Sequence, residues 1–302
     1  SRASNLNSIW LMNAKIGADR FGVMWDHDYL YLAIDTENNA EITVNGVAVD
    51  TTNGAVREAK VLLETLGIRV ADYNDTAALV ITLGDDVTFE GVVSFGNDTA
   101  MFFDMPLPQV YDTCDTLAKE ISRSGSDYDI FYNEKLLRDA GINNKDAFKL
   151  MLTHEVCHHT FRNVIFGLLN NDHWTKELVC DYMAGVRSLM DGFTTGKYKY
   201  TISTTKSSMS HPPGWCRKPA FLQGRQTIES LLGNGESLRI RDVIDDFKDF
   251  IIRNKEVIEN EWNRYVEHCN DPIPAPKQTR IEDLPDTNLI KQYVLYGKTG
   301  LQ

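Results

Sequence analysis

Apolar residues come in short, strand-like runs through the first part of the chain and at helical spacing through the second. Residues 20–48 read as short strands: Tyr29–Ile34 and Glu41–Asn45 alternate or cluster β-formers between turn residues. Residues 54–66 carry apolar side chains at helical spacing and stop at Gly67, which predicts a helix there. Strand-like runs follow at 68–71, 77–83, 89–95 and 100–104, and one more at Tyr128–Tyr132.

Beyond residue 140 the period lengthens. A helix opens after Asn143 or Asn144, either of which can cap it, with Asp146 in its first turn. Ala147, Leu150, Met151, His154, Cys157, His158, Phe161 and Ile165 then fall three or four apart in one stripe. Phe148, Leu152 and Val156 form a second apolar ridge, so this helix is expected at the centre of its domain. A second helix runs from about Trp174 to Met190 and stops near Gly192. Its residues Trp174, Glu177, Asp181, Ala184 and Ser188 share a face. Residues 194–216, rich in Ser, Thr, Lys and Tyr, read as a loop. The segment 238–268 reads as a long helix with a charged face, broken by the prolines of 271–276 and followed by an extended strap.

This order predicts an α+β protein: a mixed sheet, then a central helix, then a mostly helical C-terminal half. The expected segments are a β-rich 1–50, a central domain over 51–235, and a helical extension and tail over 236–302. No internal repeat interrupts the pattern.

Composition narrows the partners. A formal net charge of -12 over 302 residues argues against binding nucleic acid or anionic membranes, both of which call for a basic face. The longest apolar runs fall far short of the roughly 20 residues a membrane helix needs, and no charged-then-apolar leader pattern is visible. Cys114, Cys157, Cys180, Cys216 and Cys269 are scattered, odd in number and lack C-x-x-C spacing. Free, partly buried thiols are the expectation, which points towards a reducing compartment. Sequons at Asn74 and Asn97 would matter only in a secreted chain. Trp25-Asp-His-Asp-Tyr-Leu-Tyr-Leu resembles a strand pair of carbohydrate-binding β-sandwiches, over too few residues to define a sugar-binding domain.

The chemistry concentrates in His154-Glu-Val-Cys-His158, an H-E-x-x-H pattern. Two histidines four apart share one helical face, where two imidazoles can hold Zn²⁺ and Glu155 can act on a water at the open position. A catalytic zinc takes three protein ligands. Glu177 is the chosen third, at the start of the next helix, with His173, Asp181 and His211 as rivals. Asp181, one turn beyond Glu177, can accept a hydrogen bond from a ligand imidazole and fix its orientation. His159 points away from this face and is read as structural.

His154-Glu-x-x-His158 followed by Glu177-x-x-x-Asp181 resembles the gluzincin metallopeptidases. The pattern is closest to the prenyl-protein-processing and membrane-quality-control endopeptidases and their soluble relatives. His211-Pro212 with Arg217 resembles the His-Pro…Arg element of that family, so the likeness spans roughly residues 145–225. It implies a zincin-like fold and metal-assisted hydrolysis of a peptide or protein substrate, with Glu155 as general base. His211 and Arg217 are then candidate donors to the oxyanion, with Tyr198 and Tyr200 behind them. The chain departs at Cys157, where many relatives carry Gly, and at Cys180, where Ala is common. The membrane helices of the family are missing, which favours a soluble relative.

Overall fold

The computed structural model describes residues 10–25, 28–68, 76–94, 109–122, 128–161, 164–234 and 240–269. Outside them lie the expected strand at 100–104, most of that at 68–71, both sequons, and the strap beyond 271. The chain is a mixed α+β protein that divides into two compact units. One comprises Ser1–Met105, Thr160–Gly167 and Leu231–Ile244; the other comprises Pro106–His159, Leu168–Ser230 and Asp245–Gln302.

The first unit is built from β1 (Trp10–Ile16), β2 (Asp19–Trp25), β3 (Tyr29–Asp35), β4 (Ile42–Val44), β5 (Val47–Val49), β6 (Val56–Leu62), β7 (Thr76–Leu83) and β8 (Val87–Ser94). Two antiparallel four-stranded sheets form, in the orders β1-β2-β3-β6 and β5-β4-β7-β8. Strands pair across residue 50, since β3 binds β6 from Tyr29↔Leu62 to Asp35↔Val56. The sheets join through one apolar cluster: Phe21, Val23, Leu30 and Ile34 of the first, with Ile42, Leu79, Ile81 and Phe89 of the second. Trp25 is 2% exposed within this core, so it offers no open aromatic platform.

Residues 54–66 correct the expectation of a helix: they form β6 and a single 3₁₀ turn, Leu63–Leu66, closed by Gly67 at φ 73. The run contains both periods. Ala59 and Val61 alternate towards the core, while Leu63 and Leu66 are buried by the turn. Backbone pairing with β3 decides in favour of the strand, which is how sheet context overrides local propensity.

The second unit holds β9 (Gln109–Asp112), β10 (Ala118–Ser122) and β11 (Tyr128–Tyr132), followed by α1 (Glu134–Asp139), α3 (Asp172–Met190) and α4 (Gly196–Ser203), and most of α2 (Lys145–Thr160), α5 (Gly214–Gly233) and α6 (Ile240–His268), whose Thr160, Leu231–Gly233 and Ile240–Ile244 fall in the first unit. The sheet order is β10-β11-β9, antiparallel then parallel, so this sheet is mixed. Asn144 caps α2 by accepting the Ala147 N–H at 2.9 Å, and Asn171 caps α3 by accepting from His173 and Trp174. Ala147, Phe148, Leu150, Met151 and Leu152 of α2 are all buried, as two apolar ridges require.

Residues 194–216, expected as a loop, contain α4 and the first residues of α5. The polar letters conceal an apolar pair: Tyr198 and Ile202, four apart, are both buried and give α4 its inner face. Against α5, α3 packs main chain to main chain. A Cβ at Gly185 would overlap the Phe221 carbonyl, and one at Gly224 would overlap the Tyr182 carbonyl. Only glycine permits so close an approach.

Candidate metal centre

Two helices supply the centre. On α2, His154 and His158 stand one turn apart with their rings 4.8 Å apart at 78°. On α3, Glu177 and Asp181 face them. His154 Nε2 lies 3.1 Å from His158 Nε2, 3.0 Å from Glu177 Oε2, and His158 Nε2 lies 2.9 Å from Glu177 Oε1. A tetrahedral zinc with bonds of about 2.0–2.1 Å separates its ligand atoms by about 3.3 Å, so this triangle is slightly tighter than the coordinated geometry. Glu177 Oε2 is buried without an aligned hydrogen bond, although His154 Nε2 is 3.0 Å away. Three potential ligand atoms so close together, one of them without a hydrogen bond, suit a shared cation.

The surrounding residues fix the first imidazole. Asp181 is fully buried and accepts from His154 Nδ1 at 3.0 Å, which holds the ring with Nε2 towards Glu177 and His158. Tyr198 donates its hydroxyl to the same Asp181 oxygen at 3.1 Å. Arg217 donates through Nε to Asp181 Oδ2 at 2.7 Å and through Nη2 to Oδ1 at 3.0 Å, a bidentate pair. Its Nη1 donates to Thr205 Oγ1 at 3.0 Å. Arg217 and Tyr198 therefore gather around Asp181, away from an open rim, and Arg217 Nη2 also comes within 3.9 Å of Glu177 Oε2. Tyr200 is 64% exposed on the far part of α4.

His211 comes from the connection between α4 and α5. That connection is pinned to the start of α3, because Trp174 Nε1 donates to the Ser208 carbonyl at 2.9 Å and Asn171 Nδ2 to the Met209 carbonyl at 3.0 Å. His211 Nε2 is thereby brought to 3.4 Å from Glu177 Oε1, with its side chain half-exposed. His173 is exposed on the first turn of α3, and His159 is buried against the Tyr128 ring and Glu120. Neither belongs to the cluster.

The field here is strong. Burial opposes protonation of His154, yet Glu177 and Asp181 overcome it and raise its pKa to about 10. Burial and the neighbouring His154 oppose protonation of His158, but Glu177, with help from Glu155, raises its pKa. Burial pushes against ionisation of Glu177, but His158, His211 and His154 hold its carboxyl well below the ordinary range. Glu155, 7% exposed, is pushed up, chiefly by burial, against the pull of His158 and His154. Glu177 draws the His211 pKa upward, but burial and the Arg217, His154 and His158 cations outweigh it, so His211 stays below 6.5.

One donor was not foreseen. Cys180 is fully buried, and its Sγ forms a group with His154 and His158 whose ligand atoms all lie within 4.8 Å of one another. The legible signal was its place three residues after Glu177 on the same helix. Comparison of the chain with protein-family models, with curated proteins and with solved structures finds no match. Among the described residues, no helix is long and apolar enough to cross a membrane.

Proposed function

We infer that the chain is a zinc-dependent metallopeptidase with a zincin-like catalytic unit, cutting a peptide or protein substrate. The observation that supports this best is the triangle of His154 Nε2, His158 Nε2 and Glu177 carboxylate with edges of 2.9–3.1 Å, beside the buried Glu155. A divalent ion held by these three would polarise the scissile carbonyl and acidify a water. Glu155 accepts the water proton on its carboxylate and releases it to the leaving amine nitrogen. Its burial suits that task, because a carboxyl with a raised pKa can hold the proton between the two transfers. His211, neutral and half-exposed, donates from Nε2 to the developing oxyanion. Arg217 and Tyr198 are positioning residues, because they hold Asp181, which holds His154.

A second reading has one observation in its favour. Cys180 beside the same imidazoles would complete a closed four-ligand site, a zinc staple in a peptide- or partner-binding protein. Metal analysis with a peptide-library cleavage assay, with and without chelator, separates the two. The expected result is about one zinc per chain and chelator-sensitive cleavage. Bound zinc with no cleavage of any peptide favours the staple, and chelator-insensitive cleavage removes the metal from the chemistry.

A further inference from the structure

The α3 face that presents Glu177 presents a second kind of donor. Cys180 follows Glu177 by three residues, so the two side chains are neighbours on one side of the helix. Around a tetrahedral ion, a thiolate at about 2.3 Å and an imidazole nitrogen at about 2.0–2.1 Å sit about 3.6 Å apart. The ligand atoms of Cys180, His154 and His158 all lie within 4.8 Å of one another, and Glu177 lies 3.0 Å from His154 Nε2 and 2.9 Å from His158 Nε2. The Cys180 sulfur thus lies no more than 4.8 Å from a ring nitrogen of each histidine, and Glu177 is at contact distance already. A hard oxygen and a soft sulfur face one pair of imidazoles, and ligand softness decides which ions each favours.

We propose that Cys180 is a reserve ligand, idle towards ions that Glu177 satisfies and drawn onto a soft, thiophilic divalent ion such as cadmium. The proposal rests on His154 and His158 forming a metal centre, as inferred above. On binding, the Cys180 S–H bond breaks, a sulfur–metal bond forms, and the proton leaves to solvent; no electron is transferred. With His154, His158, Glu177 and Cys180 all engaged, a tetrahedral ion has no position left for water. A soft ion is therefore held and silences the site.

The test titrates cadmium and cobalt salts separately into the chelator-stripped full chain, as wild type, C180S, C180A and E177Q. Sulfur-to-metal charge-transfer absorption and competition with a chromophoric chelator are the readouts. Wild type should give a sulfur band with cadmium. Cys180→Ser and Cys180→Ala should abolish that band and weaken cadmium about tenfold or more, with cobalt affinity held within about twofold. A wild-type cadmium complex without a sulfur band overturns the proposal, even if no variant folds. So does a band that survives in folded Cys180→Ser, because it then belongs to another cysteine. Failure of the wild type to bind cobalt or cadmium sinks the metal centre itself. Cobalt affinity that falls in Glu177→Gln, with no cadmium–sulfur band in wild type, sinks only the role of Cys180.

Discussion

The two units bury opposite kinds of residue. The core of the β-sandwich is aliphatic and aromatic, from Phe21 stacked on Phe89 at 5.8 Å to Ile42, Leu79 and Ile81 at 0% exposure. Among the described residues, every buried His, Asp, Glu and Arg lies in the other unit: Asp129, His154, Glu155, His159, Glu177, Asp181 and Arg217. Desolvating such groups costs stability unless each finds partners. Among the described residues, the sandwich core avoids that cost. The helical unit meets it by holding carboxylates and imidazoles 2.9–3.1 Å apart.

The sharpest way to break this contrast is Glu155→Gln. Activity on a cleaved peptide should fall by roughly 10²–10⁴ in kcat/KM, with metal content and melting temperature unchanged. Unaltered cleavage would remove Glu155 from the mechanism. Phe21→Ala should do the reverse, destabilising by about 3–5 kcal/mol in denaturant unfolding while the folded fraction keeps its metal. Loss of metal from that folded fraction would show the sandwich to be part of the centre's support. Gly185→Ala adds a methyl where the Phe221 carbonyl sits and should cost roughly 3 kcal/mol by overpacking, together with some metal affinity. A neutral Gly185→Ala would mean that α3 and α5 are not in main-chain contact.

Asp181→Asn weakens the grip on His154 Nδ1, and zinc affinity should fall about 10–100-fold by competition titration. The smallest effect is the pH dependence of chelator-stripped protein. The His154 pKa is raised in the folded state, so its contribution is complete below 6.5 and is lost as the pH climbs to about 10. The Glu177 pKa is depressed, so its contribution is complete above 4.5 and is lost on acidification below that. Melting temperatures without zinc should therefore decline on both sides of an interval near pH 5–6.5. With zinc bound, the alkaline decline should shrink, because the ion takes the place of the proton. An alkaline decline of equal size with and without zinc would show that proton and ion do not compete.

Much of the centre was legible because helical spacing is a local property. His154 and His158 four apart, and Glu177 and Asp181 four apart, each define a face without any knowledge of the fold. That the two faces meet was expected from the third ligand a catalytic zinc would need, and the structure brings them together. What sequence spacing did not carry was direction in three dimensions. Arg217 and Tyr198 were legible as polar groups near the site, but only packing shows them turned towards Asp181. The strand β6 was hidden because Val56–Leu62 satisfies two periods, and its partner, β3, is remote in sequence. The helix α4 was hidden because Tyr198 and Ile202 are only two anchors among polar letters.

The meeting of α3 and α5 at Gly185 and Gly224 has a consequence for variation. Rigid peptide planes set the height of α3, with no side-chain filler to creep or swell. Exchanges among aliphatic neighbours can then accumulate without tilting the carboxylate of Glu177 away from its imidazoles. The tolerance of the surroundings is bounded by two positions where any side chain must displace a backbone carbonyl.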